Sequence, residues 1–281
     1  MLKFALPNKG SLADAAVTLL QEAGYSCSRI ERELMLWDKK NEVEFAFLRP
    51  RDIAVYVGNG IFDLGITGRD LALDSASEVT ERLALGFGKA AFCYAVPREQ
   101  DITPEDFGGL RIATSYPQLV KQDLARRNLE ARVVALDGAV EVSVQLGVAD
   151  VIADVVESGR TLHQAGLKIV GDPVLDSEAV VIGRPDSPRN SACDTVLDRL
   201  RGILLAREYL MVEYDIPENL LKRACAITPG IESPTISPLN EPGWFAVKAM
   251  TRKAETNGII DELAELGAKG ILVTNIRTCR I

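Results

Sequence analysis

Apolar positions along the chain follow two alternating periods. Short continuous runs, LKFALP at 2–7, VEFAFL at 43–48 and FDLGIT at 62–67, have the length of buried strands. Between them, SLADAAVTLLQEAG (11–24) and RPRDIAVYVGNG (49–60) carry apolar residues at helical spacing and close on glycine. Ser11 with Asp14 predicts a cap on the first helix, which places Lys9 and Gly10 in a strand-to-helix loop. A strand at KAAFCYAVP (89–97) and a turn-rich ITPEDFGG (102–109) follow, and a second unit then begins. It predicts a strand at LRIATSY (110–116), a helix near QLVKQDLARRN (118–128), a strand at ARVVAL (131–136), a helix at VEVSVQLGVA (140–149) and a buried strand at DVIADVV (150–156). EAVVIG (178–183) predicts a strand returning toward the first unit. This alternation implies an α/β fold of two lobes with a cleft between them: lobe I from 1–90 and 178–209, lobe II from 91–177.

The pattern changes after a long amphipathic helix, SACDTVLDRLRGILLAREYL at 191–210. LMVEYDIP (210–217), helical ENLLKRACAI (218–227), WFAVKAMT (244–251), helical GIIDELAELGAKG (258–270) and ILVTNIRTC (271–279) form a compact β-α-β-β-α-β series. Residues 210–281 are therefore expected to be a separate ferredoxin-like α+β domain.

Composition narrows the function. The chain has 281 residues, 47% hydrophobic and 26% charged, an ordinary globular balance. A net charge of −8 argues against broad nucleic-acid binding but leaves room for a local basic cleft that takes a phosphorylated small molecule. The single histidine, His163, argues against a Ser-His-Asp triad and against a multi-histidine metal site. The five cysteines, Cys27, Cys93, Cys193, Cys225 and Cys279, are scattered without CxxC spacing, which is the usage of reduced thiols in a cytoplasmic protein. MLKFALPNKGS has one basic residue and only a few apolar residues before Pro7, so no signal peptide is expected, nor is a membrane helix.

Several loops at predicted strand ends carry residues suited to chemistry. In DVVESGRT (154–161), Gly159 permits close approach, backbone amides point outward, and the Ser158 and Thr161 hydroxyls can donate to phosphate oxygens. Asp154 can accept from ribose hydroxyls, while a plain capped turn accounts for the same residues equally well. In GITGRD (65–70), two glycines, a hydroxyl, a cation and a carboxylate end a buried strand, which suits a ligand loop or a structural turn with an ion pair. Arg49, Arg51 and Lys9 can supply positive charge to a pyrophosphate or triphosphate. Asp137 and Glu141 flank a turn into the next helix, with capping as the simpler account. Tyr116, before Pro117, suits stacking on a base or core packing.

Taken together, LPNKGSL, FLRPRDIAVYVGNG, DLGITGRDL, DGAVEVSVQLGVADVIADVVESGRTL, ITPGIESPTISPL and GAKGILVTNIRTCRI, in this order and over essentially the whole chain, resemble the ATP phosphoribosyltransferase family in its long form with a C-terminal regulatory domain. The resemblance implies two catalytic lobes of periplasmic-binding-protein-like type plus the ferredoxin-like domain. It implies transfer of the phosphoribosyl group of phosphoribosyl pyrophosphate (PRPP) to N1 of ATP, releasing pyrophosphate, as the first step of histidine biosynthesis. Carried over by motif, Asp154, Ser158, Gly159, Arg160 and Thr161 correspond to the PRPP loop, and Lys9, Arg49, Gly68, Asp70 and Tyr116 to the ATP and pyrophosphate side. Glu157 lies where the family varies and receives no role. Mg²⁺ is the implied cofactor, with Asp70 and Asp154 as candidate ligands. Histidine is the implied effector, with Asp215, Ile231, Ser233, Thr235 and Gly270 around it, although loop capping also accounts for Ser233 and Thr235. A homo-oligomer, dimer to hexamer, is implied as well. The rival from another class is a two-lobed small-molecule binding module without catalysis, because fold alone does not settle function.

Overall fold

A computed structural model describes residues 1–28, 33–185 and 191–280, and the chain divides into two compact units, Met1–Asp194 and Thr195–Ile281. The first unit starts with β1 (Leu2–Pro7), α1 (Ser11–Glu22), β2 (Met35–Asp38), β3 (Val43–Leu48), α2 (Pro50–Gly58), β4 (Leu64–Gly68), α3 (Arg69–Asp74) and β5 (Thr80–Ala84). It crosses into a second lobe made of β6 (Ala90–Pro97), β7 (Arg111–Thr114), α4 (Pro117–Arg127), β8 (Arg132–Ala135), β9 (Val151–Val156), α5 (Arg160–Gln164) and β10 (Leu167–Ser177), and returns as β11 (Ala179–Gly183). Lobe I is a six-stranded sheet of order β2-β3-β1-β4-β11-β5, and lobe II a five-stranded sheet of order β10-β6-β9-β7-β8. The expected two α/β lobes are thus present.

The apolar runs fold as they do because both faces of each central strand are covered. In β9, Val151 and Ala153 pack into one core with Phe92, Tyr94 and Leu124, while Ile152 faces the opposite core with Ala95 and Leu162. In lobe I, α2 presents Ile53, Ala54 and Val57 to β1 and β3, each large aliphatic side chain contributing roughly 2 kcal/mol on burial. Pro50 opens α2 at a position where its missing amide costs nothing.

Two crossings join the lobes, and one is a single residue, Glu178, between β10 and β11. Its main-chain oxygen accepts from Arg69 N (2.9 Å), and its carboxylate accepts from Gly86 N (2.7 Å) on the other crossing. Arg69 at the start of α3 pairs with Glu81 (2.8 Å) and Glu178 (3.3 Å) and donates to the Asp176 carbonyl (3.0 Å). The crossing is therefore fixed by one guanidinium that touches β5, β10 and the residue between β10 and β11.

In the second unit, α6 (Ser191–Glu208), which begins in the first, leads to β12 (Tyr209–Pro217), α7 (Glu218–Ile227), β13 (Thr235–Pro238), β14 (Trp244–Arg252), α8 (Thr256–Leu266) and β15 (Lys269–Asn275). The sheet order β13-β14-β12-β15, antiparallel throughout, is the ferredoxin-like arrangement expected from the β-α-β-β-α-β series. Val212, Tyr214 and Ile216 of β12 pack with Ala224 of α7 and Leu263 of α8; the alternate residues, Met211, Glu213 and Asp215, stay half-exposed on the opposite face.

Two local expectations are corrected. The helix predicted at 140–149 is only a 3-10 turn, Val140–Val142, followed by irregular turns. Val140, Val142, Val144 and Val148 lose side-chain freedom in a helix, the Ser143 hydroxyl bonds to the Val140 carbonyl (2.6 Å), and Gly147 adopts φ +70°. The first helix starts at Ser11 with Gly10 at the cap position, so Ser11 is not the capping residue.

Asp38, 2% exposed, closes the turn after β2: it accepts from Ser26 N (2.8 Å), Lys40 N (3.1 Å), Asn41 N (3.2 Å) and the Asn41 side-chain amide (2.6 Å). Burial alone would raise this carboxyl, but the hydrogen bonds together hold it below the ordinary value. A depressed folded pKa gives stability that is present above the unfolded carboxylate value of about 3.9 and lost as pH falls through the folded one. Asp38→Asn is therefore expected to cost about 1–2 kcal/mol at pH 7 and much less at pH 3. Urea unfolding at the two pH values checks this, and an equal deficit at both would contradict it.

Candidate functional site

Parallel strands deliver their following loops to one edge of a sheet, and in lobe I three such loops meet. Pro7 of β1 is in register with Leu48 of β3, and Ala5 with Gly65 of β4. Lys9, Arg49 and the Gly68–Asp70 corner consequently share the carboxyl edge, with Lys9 and Arg49 exposed. At that corner Asp70, 7% exposed, accepts from the Ser177 hydroxyl (2.7 Å), and its amide donates to the same oxygen (3.1 Å). Gly68 makes this possible: a Cβ there would run into the Asp70 carboxylate.

Lobe II repeats the geometry. Thr114 of β7 is in register with Ala135 of β8 and Ala153 of β9, so Tyr116 and Asp137 follow the ends of β7 and β8, and Asp154, still within β9 and opposite Cys93 of β6, comes just after the last residue paired with β7. Gly138 N donates to Ser115 Oγ (3.2 Å), which holds the turn carrying Asp137 and Glu141 beside the edge.

The two edges face each other at Tyr116. Burial, then the charge of Asp70 and a hydrogen bond to it, then the charge of Asp154, push the Tyr116 phenol up, while Arg51 acts in the opposite sense. The ring lies edge-on to Phe92 (5.3 Å), and the Arg51 guanidinium stands over it at 5.0 Å. Tyr116 is thus engaged in packing here, the second of its two sequence alternatives. The half-buried Asp154 carboxyl is raised, first by burial, then by the charges of Glu141 and Asp70; a bond from Val155 N (2.8 Å) and Arg51 oppose the rise. Asp70, Glu141 and Asp154 therefore form a negative centre where the lobes meet, with Lys9 and Arg49 on the lobe I edge.

Beyond Val156, the end of β9, the chain turns outward. Glu157, Ser158, Arg160 and Thr161 are exposed, and Gly159 takes φ +67° as the cap of α5. The first-turn amides of α5 have no acceptor within the helix, and Ser158 and Thr161 beside them are exposed. Nothing crowds Gly159, whose added Cβ would come no closer than 3.8 Å to Val156 Cγ1, so its requirement is conformational. This geometry suits an anion with several oxygens.

In the second unit, Asp215 and Gly270 are adjacent: a Cβ on Gly270 (φ +59°) would lie 3.5 Å from Asp215 Oδ2. Thr235 sits on the edge strand β13, opposite Lys248 of β14, which is itself opposite Glu213. Thr235 is thus two strands and two residues away from Asp215. Ile231 and Ser233 are exposed in the loop before β13.

Sequence reasoning missed Asp74, Ser177 and Glu178. Asp74, 7% exposed, accepts from Arg51 (3.0 Å) and from Gln118 N (2.8 Å) and Leu119 N (3.2 Å) across the cleft. The 70/74 spacing in DLALD places both carboxylates on one helical face, a signal that was available. Ser177 and Glu178 act through the lobe crossing, which no local pattern reveals. Among the described residues no group of three or more His, Cys, Asp or Glu is placed to hold a metal ion, and no helix is long and apolar enough to cross a membrane.

Known proteins share this architecture and sequence. The family model for HisG, ATP phosphoribosyltransferase, matches residues 49–202, and that for the HisG C-terminal domain matches residues 206–278. The ATP phosphoribosyltransferase of Salinibacter ruber is 57% identical over 283 residues and that of Mycobacterium tuberculosis 53% over 283, each pairing covering 100% of both chains. Among solved structures, an ATP phosphoribosyl transferase (HisG:HisZ) complex from Thermotoga maritima is 26% identical with a TM-score of 0.62, covering 72% of this chain and 99% of that one. With two family models in sequence order and full-length relatives above half identity, the chain belongs to the ATP phosphoribosyltransferase family, in the form that carries the additional C-terminal domain.

Proposed function

We infer that the chain transfers the phosphoribosyl group of PRPP to N1 of the adenine ring of ATP, releasing pyrophosphate, as the first step of histidine biosynthesis under feedback by histidine. The observation that carries this reading is the meeting of the lobe I corner that holds Asp70 with the lobe II edge that holds Tyr116 and Asp154, joined by the Arg51 guanidinium over the Tyr116 ring at 5.0 Å, beside the exposed Glu157, Ser158, Arg160 and Thr161. The loop takes the 5′-phosphate on the Ser158 to Thr161 amides and the two hydroxyls, and Asp154 accepts from the ribose hydroxyls. Lys9 and Arg49 face the pyrophosphate and the nucleotide phosphates. Arg160, exposed at the start of α5, adds positive charge to the same loop.

The chemistry requires alignment more than proton abstraction. Adenine N1 carries a lone pair and no proton, so it attacks the anomeric carbon directly as the bond from that carbon to the pyrophosphate oxygen breaks. The product adenine then loses a proton from its exocyclic nitrogen to solvent. No protein nucleophile takes part, in keeping with a chain that has one histidine, exposed at position 163.

The donor set fits Mg²⁺ held mainly by substrate oxygens and water, since Asp70 and Asp154 bring negative charge to the meeting point without a closed group of protein ligands. Bound there, the ion would neutralise the departing pyrophosphate. In the second unit, Asp215 beside Gly270 supplies a carboxylate for the amino group of histidine, and Ile231, Ser233 and Thr235 complete the effector surroundings.

The direct test is pyrophosphate release with ATP, PRPP and Mg²⁺, with and without histidine. ATP-dependent release that falls with histidine is expected; PRPP binding without turnover by folded protein would favour the non-catalytic binding module. Ser158→Ala and Thr161→Ala are each expected to raise the KM for PRPP by about tenfold, the weight of one phosphate hydrogen bond. Gly159→Ala should do the same and cost about 1 kcal/mol of stability through its left-handed backbone. Unchanged PRPP kinetics in all three would remove the phosphate-loop assignment. Thr235→Ala should weaken histidine inhibition with kcat nearly intact, and a normal inhibition curve would count against that placement.

A further inference from the structure

Asp74 is a buried carboxylate that the proposed chemistry does not use. Asp74 ends α3 in lobe I, yet its Oδ1 accepts from Gln118 N (2.8 Å) and Leu119 N (3.2 Å), first-turn amides of α4 in lobe II. Helix starts are ordinarily capped by the residue at the cap position, but α4 has Tyr116 there, with no side-chain cap bond, followed by Pro117. The cap comes instead from a residue 44 positions earlier, in the other lobe. The Oδ2 atom of Asp74 accepts from Arg51 Nη1 (3.0 Å), and the same guanidinium lies 5.0 Å from the centre of the Tyr116 ring.

A carboxylate only 7% exposed needs such partners, and the positive end of an 11-residue helix together with an arginine supplies them. Two rows of interactions therefore join α3 to α4, one turn apart on the same face. The charge of Asp70 acts on the Tyr116 phenol, and Asp74 holds the two amides that follow Pro117. The second row determines where the first can form, because Tyr116 is the residue from which α4 springs.

We propose that Asp74, seconded by Arg51, is a positioning residue for phosphoribosyl transfer: by capping α4 from the opposite lobe it sets Tyr116 and the lobe II strand ends against Asp70. This rests on the cleft being the site of transfer. The PRPP loop follows β9 and does not pass through α4, so loss of the clasp should disturb the nucleotide side, which draws on both lobes, more than PRPP binding.

The test combines kinetics with hydrogen exchange on the full chain. Asp74→Ala is expected to raise the KM for ATP by about tenfold, the weight of a lost cap, and to leave PRPP affinity within about twofold when PRPP and Mg²⁺ alone are titrated by calorimetry. Asp74→Asn retains an oxygen for the two amides and should recover most of the ATP KM. Peptides covering 117–121 should exchange faster in the alanine variant and regain protection in the asparagine one, a readout independent of turnover. A merely stabilising role predicts a smaller active fraction with both KM values unchanged, and that result overturns the proposal. So does unchanged exchange in Asp74→Ala, or an asparagine variant no better than alanine. If wild-type protein releases no pyrophosphate, the transfer reading falls and takes the kinetic claim with it, while the exchange data still decide whether Asp74 clasps α4.

Discussion

The site depends on how the chain passes between its lobes. Glu178 stands alone between β10 and β11, and Arg69 binds its main chain, its carboxylate, Glu81 and the Asp176 carbonyl at once. Arg69 also begins α3, so fixing the crossing fixes the helix that carries Asp70 and Asp74. Ser177, the last residue of β10, then reaches the Asp70 carboxylate at 2.7 Å. A misplacement here would carry both acidic residues away from Tyr116.

From that junction the division of labour follows. Lobe I offers cations and a buried carboxylate at the ends of β1, β3 and β4, and lobe II offers Asp154 and an outward-turning loop of amides and hydroxyls. Together they present positive charge beside a negative centre in which burial first, and then the charges of Glu141 and Asp70, raise the Asp154 carboxyl. Such a centre costs stability in the free protein and favours bound cations and polyhydroxyl ligands, an arrangement expected where binding rather than folding is served.

Much of this was legible in the sequence, and the gaps have a physical pattern. Central strands such as β1, β4, β9 and β11 are covered on both faces, so their apolar runs stood out. The strands that gave no clear signal, β2, β5, β10 and β13, each lie at an edge of their sheet. One side of an edge strand meets solvent, so TERLA and TISP carry no continuous apolar run; β10 is further broken by a register shift between Val170 and Leu175. The valine-rich 140–149 stretch misled because its apolar spacing suits a helix while its β-branched residues and Gly147 resist one. Asp154, Asp70 and the 158–161 loop stood out as candidates in the sequence because strand-end chemistry is local. Asp74, Ser177 and Glu178 were not, because their partners are far away in the chain and only the lobe crossing brings them near.

The most direct measurement of the central claim is a crystal structure with PRPP and Mg²⁺ bound. The account predicts the 5′-phosphate within hydrogen-bonding distance of the Ser158 to Thr161 amides, the ribose hydroxyls on Asp154 and the anomeric carbon facing Asp70 and Tyr116. PRPP bound elsewhere, or with its 5′-phosphate on Lys9 and Arg49 instead of the loop, would contradict it.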